Sequence, residues 1–230
     1  GALLGEYFQN SGQTHSRTLA KMAEDLLANC DLTIADIDAV AVAAGPGSFT
    51  GVRIGVAAAK GLAWARELPC YGVSTLEAMV RGAAACDGVW CACMDARRQQ
   101  VYTAVYTVEN GDLSVLLEDC AISVEELGAF LKKLEKPVFL VGDGALLCYN
   151  SLLESLPKLR AVVRYGIGFD RVDLEAATEN GIAVVNVPDF CQTELGQYVV
   201  LGVLAWNKRL VQLNAGVKAG RWLDTRASLS

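Results

Sequence analysis

Apolar side chains recur along this chain with two periods, and the switches between them mark its elements. Over residues 15–30, Leu19, Met22, Leu26 and Leu27 fall near helical spacing, which predicts a helix with Thr14 at its N-cap. The run 37–43 is continuously apolar, as in a strand covered on both faces. A glycine–proline turn follows. The pattern then gives a helix over about 51–67, a strand over 68–73, a helix capped by Ser74 and ending near 85, and a strand over 89–94. GALLGEYF, residues 1–8, predicts a strand ahead of all of these.

The middle of the chain has a different rhythm. VYTAVYTV and LSVLLEDC are β-rich runs on either side of Asn110–Gly111, a strong hairpin signal. Ser123 and Glu126 match a capping box and open a helix over 123–134, after which 137–141 reads as a strand. GDGA then opens a further helix, with Asp143 read as its N-cap in preference to a nucleotide contact. Beyond residue 150 come a strand and glycine turn in LRAVVRYGIGFD, a helix in VDLEAATENG and a strand in IAVVNVP. One long helix is predicted over 193–218. The order is that of an α/β chain with an antiparallel insertion.

Composition narrows the function classes. The chain has 230 residues, a net charge of −6 and 53% hydrophobic residues. With a pI near 4.9, the chain as a whole is poorly suited to gripping a polyanion. A nucleic-acid role is therefore expected to run through a partner. No apolar run reaches the ~20 residues of a membrane helix, and the first residues lack a basic leader, so a cytoplasmic chain, a fragment or processed product, is expected. Eight cysteines lie mostly in apolar stretches without CxxC spacing, which reads as reduced, buried thiols. Cys91 and Cys93 point to one face of their strand, but a metal site there needs two further ligands, so no metal or cofactor is expected. Asp95, Arg97 and Arg98 read as an exposed structural turn, and Glu118, Asp119, Glu125 and Glu126 as solvated charge.

The loop in GPGSFTGVRIG leaves two readings open. Gly45, Gly47, Ser48, Thr50 and Arg53 could hold an anion at a helix N-terminus, where free N–H groups and the dipole favour negative charge. Alternatively Pro46 and the glycines shape a tight turn while Thr50 caps the helix. The spacing matches neither the dinucleotide fingerprint nor the Walker A loop. Behind the loop, Gly55, Ala57, Ala58, Ala59, Gly61, Ala63 and Ala65 make a helix with little side-chain bulk. Such a helix admits close approach of a sheet below or a partner helix above.

Three stretches in order, GPGSFTGVRIGVAAAKGLA, CYGVSTLEAM and MDARRQQVYTAVY, resemble the TsaB family over residues 1–148. The resemblance implies an actin/Hsp70-like (ASKHA) domain without a catalytic site of its own. It implies a scaffold subunit that binds the catalytic subunit TsaD, with the ATPase TsaE as a further partner, to make threonylcarbamoyladenosine at adenosine 37 of tRNA. Transfer RNA would be met only through the complex, and a homodimer would form without the partner. The family pairs its first two helices with those of TsaD, here 15–30 and 51–66. This places the interface on Leu19, Met22, Leu26, Val52, Gly55, Val56, Ala59 and Leu62. The family's first two strands, one carrying an Asp, have no counterpart here.

From residue 155 onward, LPKLRAVVRYGIGFDRVDLEAATENGIAVVNVPDFCQTE resembles part of a D-2-hydroxyacid dehydrogenase substrate domain. That resemblance implies carboxylate binding at the turn Arg164, Tyr165, Gly166, Ile167 and Gly168, without the domain that holds NAD and the catalytic residues. The lone His15 cannot replace a catalytic histidine from its place in the other segment. The expectation is a truncated ASKHA domain at 1–150 and a dehydrogenase-like fragment at 151–230, joined near 149–156 as a chimera. Incomplete folding of both halves is the competing reading, because each has lost strands that its parent family uses.

Overall fold

The computed structural model describes residues 2–8, 15–142, 152–153, 155–166, 168–170, 172–188 and 192–220. By its internal contacts the chain forms two units, Gly1–Pro188 and Asp189–Ser230.

The first unit opens with helix α1 (His15–Asn29) and a short 3-10 turn, Ile34–Asp36, closed by a capping box between Thr33 and Asp36. Strand β1 (Val40–Gly45) leads into helix α2 (Phe49–Trp64), and strand β2 (Cys70–Ser74) into helix α3 (Thr75–Ala83). β1 and β2 pair in parallel as a two-stranded sheet. Strands β3 (Gly88–Arg97), β4 (Gln100–Glu109) and β5 (Asp112–Ser123) form an antiparallel meander. Helix α4 (Val124–Leu131) and strand β6 (Val138–Gly142) follow, then β7 (Leu159–Arg164), α5 (Leu174–Glu179) and β8 (Ala183–Val185). The six-stranded sheet runs β5-β4-β3-β6-β7-β8, parallel from β3 to β8.

Alternation along β3 and β4 fills both faces of that sheet. Val89, Cys91, Cys93, Val101 and Val105 join Leu127, Leu131, Leu152, Leu153, Val172 and Ala177 in one apolar cluster. Trp90, Ala92, Ala104, Tyr106 and Val108 pack with Leu76 and Val80 of α3 in the other. Thr103, a buried polar residue, donates its hydroxyl proton to the Ala92 carbonyl at 2.8 Å. Capping follows the sequence at two helices. Ser74 accepts from Glu77 N–H, and Ser123 exchanges both capping-box bonds with Glu126. Asn110 and Gly111 both take positive φ, as the hairpin signal required.

Several expectations need correction. Strands β7 and β8 pair across the boundary expected near residue 150 and extend the sheet that β3 and β6 begin, and the division by contacts falls at residue 188. Residues 2–8 form no strand, and Leu3, Leu4 and Phe8 are exposed. A strand needs a neighbour to satisfy its backbone. These residues lean instead on the end of α1 and the turn after it, where the Cys30 thiol donates to the Leu4 carbonyl at 3.7 Å. The cap of α2 is Ser48 rather than Thr50, its hydroxyl accepting from Gly51 N–H.

In the second unit the single long helix expected is two, α6 (Gln192–Asn207) and α7 (Leu210–Lys218), broken where Arg209 turns left-handed at φ 48°. Thr14, Asp143 and the helix opened by GDGA lie outside the described residues. No helix among the described residues is long and apolar enough to cross a membrane.

Candidate functional site

A cleft of about 550 Å³ opens where the end of β1 meets the start of α3 and the outer strands of the large sheet. Ala44, Gly45 and Pro46 form one wall, Ser74 and Leu76 the base, and Tyr102, Asp119, Cys120 and Ala121 the other wall. The Ser74 hydroxyl caps α3 and also donates to Asp119 Oδ2 at 2.6 Å. Tyr106 reaches the other oxygen of the same carboxylate from its phenol, at 3.5 Å. Burial, and then the negative charge of Asp119, push the Tyr106 phenol up to about 12.

This geometry changes the reading of the glycine loop. Gly45 lines the cleft, whereas Gly47, Ser48, Thr50 and Arg53 are exposed outside it. The Arg53 guanidinium lies over the Phe49 ring, 3.8 Å from its centroid, along the outside of α2. Asp119 brings a carboxylate to the cleft, which opposes an anion there. Sequence reasoning treated Ser74 as a cap and Asp119 as solvated charge, and passed over Tyr102 and Tyr106. The missed signal was strand periodicity, which sets Tyr102, Ala104 and Tyr106 on one face of β4.

The residues expected at a partner interface are less exposed than the opposite face of α2. Ala59 is 7% exposed, and Leu19, Met22, Leu26, Val52, Gly55, Val56 and Leu62 are half-buried. A Cβ on Gly55 would lie 3.6 Å from Val42 of β1, so this small-residue stripe faces the sheet. The outward face of α2 carries Phe49, Arg53, Ala57, Gly61 and Trp64 instead. Phe49 is 70% and Trp64 86% exposed, and a Cβ on Gly61 would meet nothing within 4 Å.

At the end of β7, Arg164 tucks its guanidinium beneath the turn, and its Nε and Nη1 are buried without hydrogen-bond partners. Nη1 lies 3.4 Å from where a Gly168 Cβ would stand. Tyr165 points the other way, to α3, and Ile167 lies outside the described residues. Cys91 and Cys93 bring their sulfurs to 3.6 Å, both buried beside Thr103. The shared contact with Cys93, and then burial, push the Cys91 thiol well up. Cys70 and Cys86 are exposed, a correction to the expectation that most thiols are buried. Among the described residues no group of three or more His, Cys, Asp or Glu side chains is placed to hold a metal.

Comparison with known proteins supplies the context. The family described as TsaD, tRNA N6-adenosine threonylcarbamoyltransferase, matches residues 8–214. The tRNA threonylcarbamoyladenosine biosynthesis protein TsaB of Bacillus subtilis is 37% identical over 154 residues, 67% of each chain. Its Escherichia coli namesake is 44% identical over 108 residues, 46% of this chain and 47% of that one, so this chain spans about half to two thirds of these relatives. A crystal structure titled as an uncharacterized protein with similarity to peptidase YEAZ from Pseudomonas aeruginosa shares the fold. Its TM-score is 0.51 at 22% identity, covering 85% of this chain and 78% of that one. A separate match, glyoxylate reductase of Thermococcus litoralis, is 37% identical over 73 residues, 32% of this chain and 22% of that enzyme. The fold is that of an ASKHA-like domain. On a family match that spans most of the chain, and a relative matched over two thirds of its own length, the protein belongs to the TsaD family as so described and to its TsaB-type members.

Proposed function

We propose that the chain is a non-catalytic subunit in bacterial synthesis of threonylcarbamoyladenosine on tRNA, and that it docks on a TsaD-type catalytic subunit. The observation that carries this reading is the outward face of α2. Phe49, Ala57, Gly61 and Trp64 present two exposed aromatic rings beside small residues, on a helix anchored to β1 by its inner stripe. Small residues let a second helix approach closely, and aromatic anchors dominate interface energetics. A TsaE-type ATPase would join through the partner, and a second copy would take the same face when the partner is absent. The chain's TsaB relatives are named for this pathway. The test is co-purification with a bacterial TsaD-type subunit. Ala57→Arg should abolish association, and retention by that variant would contradict the proposed face.

A second reading concerns the turn after β7. The unpaired, buried donors of Arg164 favour a small carboxylate bound at residues 164–168, as the likeness to a hydroxyacid reductase suggests. Calorimetric titration with 2-hydroxy and 2-oxo acids should give saturable heat that Arg164→Gln removes. No heat would dispose of this reading.

A further inference from the structure

Two parallel strands end at the cleft. β1 stops at Gly45 and β2 at Ser74, and both residues line it. The crevice outside the carboxyl ends of parallel strands is where open α/β sheets bind small molecules. Here its far wall comes from the other sheet, Tyr102 of β4 with Asp119, Cys120 and Ala121 of β5. The volume of about 550 Å³ lies within the range of ligand pockets. Docking through Phe49, Ala57, Gly61 and Trp64 uses none of the cleft's residues and leaves the cleft without a role.

The lining is largely apolar, from Ala44, Pro46, Leu76, Ala121 and the Tyr102 ring. Of its described residues, Asp119 alone carries a formal charge at neutral pH. No cation among the described residues pairs with it. Asp119 Oδ2 accepts the Ser74 hydroxyl at 2.6 Å, whereas Oδ1 has only the 3.5 Å contact from the Tyr106 phenol. A carboxylate has roughly four acceptor sites, so Asp119 keeps capacity for another donor. The N-terminus of α3, which Ser74 caps, offers some compensation. That helix end carries roughly half a positive charge. Glu77 in the same first turn is matched by Arg81 at 2.7 Å, so half a charge faces the full charge of Asp119. The cleft is left net negative.

We propose that the cleft binds a small organic cation, an alkylammonium on an apolar body, with the ammonium at Asp119 Oδ1 and the body along Ala44, Pro46, Leu76 and Tyr102. Aromatic rings attract cations over their faces, and Tyr102 supplies one to this lining. An inorganic cation is a poor match, because such ions need several oxygen ligands and these walls are apolar. Asp119 opposes an anion. Affinity comes mainly from the apolar walls, and charge sets the preference. Asp119 is exposed, and an exposed ion pair is worth up to about fivefold in affinity.

The test is calorimetric titration of the full chain near neutral pH and at low salt, with hexylammonium, hexanol and hexanoate as probes. Hexylammonium should saturate a single site about fivefold more tightly than hexanol, with hexanoate weaker than either. Asp119→Asn keeps an oxygen to accept from Ser74, and should bring hexylammonium to the affinity of hexanol without changing hexanol. Ala121 is exposed on the cleft wall, so Ala121→Trp should block both probes while leaving Tm within about 2 °C. No saturable heat from hexylammonium, or equal affinity for hexylammonium and hexanol, would overturn the proposal. Tightest binding by hexanoate would also overturn it, marking the α3 N-terminus as the dominant charge. Unchanged hexylammonium affinity in Asp119→Asn, or binding that survives Ala121→Trp, would place the probe elsewhere and do the same. Docking of a TsaD-type subunit at α2 rests on other residues, and its loss or retention is read separately with Ala57→Arg.

Discussion

The Tyr165 hydroxyl donates to the Met79 main-chain carbonyl at 2.8 Å, across 86 residues of sequence. Tyr165 follows β7, in the segment resembling a dehydrogenase, and Met79 lies in α3, within the TsaB-like segment. With the parallel pairing of β6 and β7, this bond makes residues up to 188 a single unit. Tyr165→Phe should cost about 1 kcal/mol, the net worth of one hydrogen bond, and lower Tm by roughly 2–4 °C. Calorimetry of the unsubstituted chain should show β3–β8 melting in one transition. Separate melting of residues before and after 150 would contradict the shared sheet.

Ala57 and Ala59 give opposite outcomes for one chemical change. Ala59 is buried, so Ala59→Arg should destabilise the chain by several degrees whether or not a partner is present. Ala57 is exposed, so Ala57→Arg should leave Tm within about 1 °C. Thermal melts of both variants check this pair.

Alkaline titration reads the cleft. The Tyr106 phenol ionises at about 12 in the folded chain, against the ordinary 10.0. Below the ordinary value neither state ionises this group, and stability is unaffected. Between the two values the unfolded chain loses its proton first, so stability falls as pH rises. Asp119→Asn removes the adjacent negative charge and should bring the Tyr106 phenolate absorbance to lower pH. An unchanged titration would mean that burial alone raises it.

Thiol labelling reads the sheet. Iodoacetamide at neutral pH should modify Cys70 and Cys86 quickly and leave Cys91 and Cys93 untouched until the chain unfolds. Mass spectrometry of timed digests checks it. Labelling of Cys91 in the folded chain would show that the core opens locally.

Much of this was legible in the sequence, for reasons particular residues show. Ser74, Ser123 with Glu126, and Asn110–Gly111 act locally, through hydrogen bonds and backbone preferences that need no distant partner. The apolar stripe of α2 was also legible, but its direction was not. Val52, Gly55, Val56, Ala59 and Leu62 fit a sheet or a partner helix equally well, and it is the position of Val42 beside Gly55 that shows the stripe's Gly55 lying over β1. The cleft was hidden for a similar reason. Ser74 and Asp119 are 45 residues apart, and nothing in either neighbourhood indicates that they meet. The strand expected at residues 2–8 failed because periodicity reports a residue's preference, not the presence of a neighbouring strand.

The central claim is that the outward face of α2 docks a TsaD-type subunit. It is tested most directly by calorimetric titration of that subunit into the unsubstituted chain, Ala57→Arg and Ala59→Gly. Saturable one-to-one binding is expected for the unsubstituted chain and for Ala59→Gly, and none for Ala57→Arg. Equal binding by Ala57→Arg, or no binding by the unsubstituted chain, would contradict the account.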